Sequence, residues 1–180
     1  MLTIVIPPTE LWDEKKQEFV YTKEKKLQLE HSLVSLSKWE SKWCKPFLSK
    51  DKKTYEETLD YIKCMTITQN VDPDTYMYLT PENIAEINAY IEAPMTATTF
   101  NDDGPKKPNR EVITAELVYY WMIAHNIPPE YQKWHLNRLL TLIRVCNIKN
   151  APAKKMSKAE TMRHNTDLNA ARKKALNTRG

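Results

Sequence analysis

The chain has 180 residues, 41% of them apolar and 28% charged, enough apolar material for a real core and too much for a disordered composition. Only two glycines occur, Gly104 and Gly180, which argues against glycine-cradled phosphate loops and against a fold of many tight hairpins. The net charge of +4 is unevenly placed: from Asn150 onward eight Lys/Arg face two acids, a net +6, while the preceding 149 residues carry nineteen basic and twenty-one acidic groups, a net −2.

In chain order, Leu2–Ile6 (LTIVI) is a β-branched run stopped by Pro7-Pro8 and reads as a strand. Leu11 to Glu14 reads as a turn in which Trp12 caps the sheet. Glu18 to Thr22 and Lys26 to Glu30 follow as short strands, with Phe19 and Tyr21 on one face and Leu27 and Leu29 on one face. Ser32 opens a helix whose apolar stripe runs Leu33, Leu36, Trp39 or Glu40, and Trp43, and Pro46 ends it. A lysine-rich loop spans Ser49 to Lys53. Thr54 with Glu57 three residues on is a capping box, opening a helix that buries Tyr55, Leu59, Ile62 and Met65.

Asp72-Pro73 marks a turn and one helical turn through Tyr78. Thr80 at N-cap and Pro81 at N1 start a helix with Ile84, Ile87 and Ile91 inward. Pro94 to Asn109 is a long loop. Glu111 to Asn126 is apolar on more than one face, the pattern of a central, most buried helix. Pro128-Pro129 breaks it, and Pro129 or Glu130 starts a further helix that forms an antiparallel hairpin with the preceding one. Ala151 to Lys155 is a linker. Ser157 to Leu176 is rich in Ala, Lys and Arg and sparse in apolar anchors, a solvated helix or arm. The fold class is mainly α: a small N-terminal β-sheet or hairpin over 1–31, a helical bundle over 32–150, and a basic C-terminal helix or arm over 151–180.

Reactive constellations are weak. The four histidines lack metal-ligand spacing, although His125 and His135 can face each other across the Pro128 turn. The acidic pairs Glu56/Glu57, Asp72/Asp74 and Asp102/Asp103 sit where capping and turn formation explain them. Cys44, Cys64 and Cys146 are odd in number and widely spaced, which suits reduced, buried thiols in a reducing compartment rather than a disulfide framework. No cofactor or metal is expected, and no catalytic residue is assigned; the reading is of a binding protein, not an enzyme. No apolar stretch is long enough to span a bilayer, and the opening residues lack a signal-peptide pattern, so a cytoplasmic location is expected.

Trp39 and Trp43, one helical turn apart, have two readings: core packing with the lysines outward, which is favoured, or an exposed pair that anchors a partner. The basic tail has three readings, an arm for an acidic protein surface, a solubilising appendage or a nucleic-acid contact, and suits the first best and nucleic acid least, because it lacks interleaved aromatics. The candidate protein-binding residues are therefore Trp39, Trp43, Lys50, Lys52 and Lys53, together with Lys154, Lys155, Lys158, Arg163, Arg172, Lys173, Lys174 and Arg179.

Five stretches carry a resemblance: Leu2 to Glu14 (LTIVIPPTELWDE), Glu30 to Ser49 (EHSLVSLSKWESKWCKPFLS), Pro94 to Phe100 (PMTATTF), Gln132 to Asn150 (QKWHLNRLLTLIRVCNIKN) and Leu168 to Gly180 (LNAARKKALNTRG). Together they resemble the tail assembly chaperones of tailed bacteriophages and prophages of Gram-positive bacteria. The resemblance lies in general pattern over most of the chain. It implies a protein of the host cytoplasm that binds the tape measure protein, keeps it soluble and helps recruit tail tube subunits, with self-association an open option. A structural virion component, such as a head–tail connector or neck protein, is the alternative, and a nucleic-acid-binding phage protein a more distant one.

Overall fold

The computed structural model describes residues 1–8, 10–13, 17–21, 23–100, 112–151 and 158–177. The β-branched opening forms strand β1 (Leu2–Ile6), which pairs antiparallel with β4 (Lys25–Leu29), Leu2 opposite Leu29 and Ile6 opposite Lys25. Period-two alternation buries Ile4 and Ile6 on one strand and Leu27 and Leu29 on the other, leaving Thr3, Val5, Lys26 and Gln28 outward. Between them β2 (Glu10–Asp13) pairs with β3 (Glu18–Tyr21), Glu10 opposite Tyr21 and Trp12 opposite Phe19. Leu11 to Asp13 thus lies in a strand rather than in the expected turn. Pro7-Pro8, which cannot donate to a ladder, separates the two pairs. Phe19 and Tyr21 share a face as expected from their spacing, and both are exposed.

α1 (Leu33–Trp43) starts at Ser32, whose hydroxyl accepts from Ser35 N while Ser35 Oγ accepts from Ser32 N. It ends at Cys44 in the left-handed region (φ 52°), before Pro46. α2 (Tyr55–Met65) carries the expected Thr54/Glu57 capping box and buries Leu59, Ile62 and Met65. Tyr55, assigned to that buried face, is 70% exposed, because the first turn of α2 overhangs the core. A 3₁₀ turn follows over Pro73–Tyr78, capped by the Asp72 carboxylate, and then α3 (Pro81–Glu92) with Thr80 at its N-cap. Asn83 Nδ2 donates to Val5 O, tying α3 to β1.

Two apolar clusters result. Ile4, Leu27, Leu29, Trp39, Ile62, Met65 and Ile87 anchor the first, between the β1–β4 pair and helices α1 to α3. Leu33 and Leu36 of α1 anchor the second, with Ala115, Val118 and Met122 of α4 (Ala115–Ala124) and Leu136, Leu139 and Ile143 of α5 (Leu136–Asn150). α1 is therefore the helix shared by both clusters. The segment expected to be central, Glu111 to Asn126, is a shorter helix that buries one face and leaves Tyr120 and Ile123 in solvent. A helix apolar all round has no sequence signal for which side is covered. α4 also approaches α1 more closely along its backbone than it does α5, so the expected two-helix hairpin is replaced by a three-helix cluster.

The expected continuous helix from Pro129 is broken. A 3₁₀ turn covers Pro129–Lys133, Trp134 is extended, and His135 forms a β-bridge with Ser32 before α5 begins. Leu136 N donates to His31 O across the same junction. The chain divides into two compact units, Met1–Cys146 and Asn147–Gly180. In the second, α6 (Lys158–Leu176) has no buried residue. No helix among the described residues is long and apolar enough to cross a membrane.

Candidate protein-interaction site

The tryptophan pair resolves in favour of the core. Trp39 is 1% exposed and its Nε1 donates to Glu57 O at 2.8 Å. Trp43 stacks on it at 6.1 Å and donates to Asp60 Oδ2 at 2.9 Å. Their lysine neighbours do turn outward and pair across to α2: Lys42 with Asp60, and Lys45 with Glu57 at 2.6 Å. The Lys45 ammonium and the Thr54 amide hold Glu57 below the usual carboxylate range. Burial pushes Asp60 upward, but the Lys42 and Trp43 donors outweigh it and its pKa is lowered. Trp39 is thus withdrawn as a contact residue, since its ring is spent inside, and only the half-buried edge of Trp43 reaches the surface.

Lys50, Lys52 and Lys53 lie on the loop between α1 and α2. Lys52 and Lys53, with Lys45, Pro46 and Trp39, line a cavity of about 350 Å³. Lys53 is held over the Phe47 ring at 4.6 Å. Lys158, Arg163, Arg172, Lys173 and Lys174 are all exposed on α6. Lys154, Lys155 and Arg179 lie outside the described residues, as do Asp102, Asp103, the end of the long loop that follows Pro94, and Glu111.

A second groove, of about 400 Å³, lies between α1 and the C-terminal half of α2, with Lys38 and Lys133 at its margin and Cys64 in its wall. Nothing in the sequence brings these residues together; a search for lysines without an acid at helical spacing is the only signal that would have raised Lys38. Exposed apolar residues also stand on the β2–β3 hairpin (Phe19, Tyr21), on α4 (Tyr120, Ile123) and at Ile67.

Among the described residues, buried titratable groups gather in one network around His31. His135 does not meet His125; it packs against His31, ring centroids 5.1 Å apart, because the Ser32–His135 bridge carries it there. Tyr61 Oη and His31 Nδ1 share a hydrogen bond of 2.5 Å. His135 Nε2 lies 3.0 Å from Tyr90 O and must donate to it, so Nδ1 is a bare acceptor, buried without a partner. Burial, reinforced by His135, lowers His31 to about 3, and burial lowers His135 as well. Both rings are buried. Asp72 accepts Asp74 N and Glu57 caps α2, so those acidic pairs serve turns and caps. All three cysteines are free, but Cys44 is exposed and Cys64 and Cys146 half-buried, rather than all buried: Cys44 occupies the outward-facing end of α1. Among the described residues no group of three or more His, Cys, Asp or Glu could hold a metal ion.

Compared with family models, curated proteins and solved structures, the chain matches none.

Proposed function

We propose that this protein is a tail assembly chaperone of a tailed bacteriophage, binding the tape measure protein, keeping it soluble and helping to recruit tail tube subunits. The observation that carries the reading is α6. Nineteen residues of helix stand with no side chain buried, and Met162, Leu168 and Leu176 make no continuous apolar stripe. A helix with so few apolar anchors draws little stability from burial and presents its cations to solvent. The remainder of the chain supports a binding role in a different way. Buried polar side chains such as Glu57, Asn83, Glu40 and Asp60 serve caps and ties between elements, while Phe19, Tyr21, Tyr120 and Ile123 on the β2–β3 pair and α4 remain in solvent. A long tape measure helix exposes apolar surface that aggregates unless covered, and such surfaces accept reversible contacts with partners of this kind.

Quantitative mass spectrometry of purified particles and of infected-cell lysate tests the reading. The chaperone reading expects the chain in the lysate and not in the finished particle. Stoichiometric copies in the particle would replace it with a head–tail connector or neck component.

A further inference from the structure

The cations of the α1–α2 region fall into two groups. Lys42 and Lys45 are neutralised by Asp60 and Glu57. Lys38 and Lys133, at the margin of the 400 Å³ groove, form no ion pair among the described residues. Glu30, the acid in the groove lining, is already engaged: it receives the Met1 ammonium at 2.8 Å and the Tyr90 hydroxyl at 2.7 Å. Within the lining, neither lysine is therefore paired with a carboxylate.

The lining of the groove is mixed: Val34, Ile67 and the Cys64 thiol supply apolar surface among serine, threonine and lysine side chains, Met65 lies buried beneath, and Ile67 is half exposed although large and β-branched. The hydroxyls on its floor are spent. Ser35 Oγ donates to Ser32 O or to Glu30 O, and Ser32 Oγ caps α1. The groove thus offers apolar contact between two cations, with few hydrogen bonds to give. No aromatic ring lines it for a base to stack on, and two lysines are few for a phosphate backbone.

We propose that this groove docks an acidic peptide segment of a partner protein, an apolar side chain seated against Val34 and Ile67 and flanking carboxylates paired with Lys38 and Lys133. The proposal rests on the reading of the chain as a protein-binding protein and names the chemistry of the segment bound. Opposite charge at a groove margin steers encounter and sets specificity, while the apolar anchor supplies most of the affinity.

The test uses the full chain and two short fluorescein-labelled peptides, one alternating leucine with aspartate and one alternating leucine with lysine, read by fluorescence anisotropy at low salt. The aspartate peptide binds and the lysine peptide does not. Lys38→Glu with Lys133→Glu weakens the aspartate peptide roughly tenfold, as expected for reversing two marginal charges, and makes the lysine peptide bind. Both lysines are exposed, so the double variant keeps its melting temperature. In a Cys44→Ser, Cys146→Ser background the bound aspartate peptide slows alkylation of Cys64. Binding that survives the double reversal and leaves Cys64 equally reactive belongs to the cationic α6 helix and overturns the proposal; so does equal binding of both peptides. The outcomes stay separable from the chaperone reading. A chain that holds the tape measure protein in solution with both lysines reversed has lost only the groove, whereas a groove that binds the aspartate peptide in a chain without effect on that protein leaves the chaperone reading to fail alone.

Discussion

His31 and Glu40 show how individual polar side chains join the two apolar clusters. His31 is 2% exposed, in contact with Tyr61, His135 and the backbone of α5, and with Glu30, the Met1 ammonium and Tyr90 as the charged or titratable groups next along the network. In the unfolded chain its imidazole takes a proton near 6.5; in the fold, burial and the neighbouring His135 hold it to about 3. Between those values the unfolded state binds more protons, so the stabilisation is fully present above 6.5 and is lost as pH falls toward 3. From pH 7 to pH 5 the His31 contribution amounts to roughly 2 kcal/mol, which urea titrations at the two pH values would read; His31→Gln should flatten that dependence. Glu40 accepts Phe47 N at 2.8 Å and Ala115 N at 2.7 Å, so one carboxylate holds both the turn after α1 and the first residue of α4. Glu40→Ala leaves two amides without an acceptor and should cost roughly 2–4 kcal/mol in urea unfolding followed by tryptophan fluorescence; Glu40→Gln, which keeps one acceptor, should cost about half.

Elements were legible in the sequence where the determining interaction is local. Thr54 with Glu57, and Thr80 with Pro81, mark the starts of α2 and α3 because a cap involves residues three apart. β1 and β4 were legible because alternation and the Pro7-Pro8 stop are local too. The strand β2 was not: Leu11 to Asp13 is too short to alternate visibly, and its pairing with β3 decides it. The buried side of α4 was not, because a helix of apolar residues on every face has no direction until α1 supplies one. Nor was the meeting of His31 with His135, which depends on a bridge between residues far apart in sequence. Of the candidate contact residues, Lys50, Lys52 and the described α6 cations are exposed, Lys53 is half-buried over Phe47, and Trp39 took the core position that its spacing favoured. α6 makes its own prediction. With no buried side chain in it, removal of residues 151–180 should leave the melting temperature of the remainder within about 2 °C of the full chain, a change well under 1 kcal/mol, by differential scanning calorimetry. A larger loss would mean that the helix packs on the rest.

Across the molecule, charge is unevenly placed along the sequence. Residues 1–149 carry −2 and hold both apolar clusters, while the segment from Asn150 carries +6. Contacts that a partner makes through such a cationic segment weaken as salt screens them. The account turns on whether the chain protects a long helical partner from aggregation. Light scattering of tape measure protein diluted from denaturant, with and without stoichiometric full-length chain, measures this directly. Suppressed scattering that returns on raising the salt is the predicted result; scattering unchanged by an excess of the chain would contradict it.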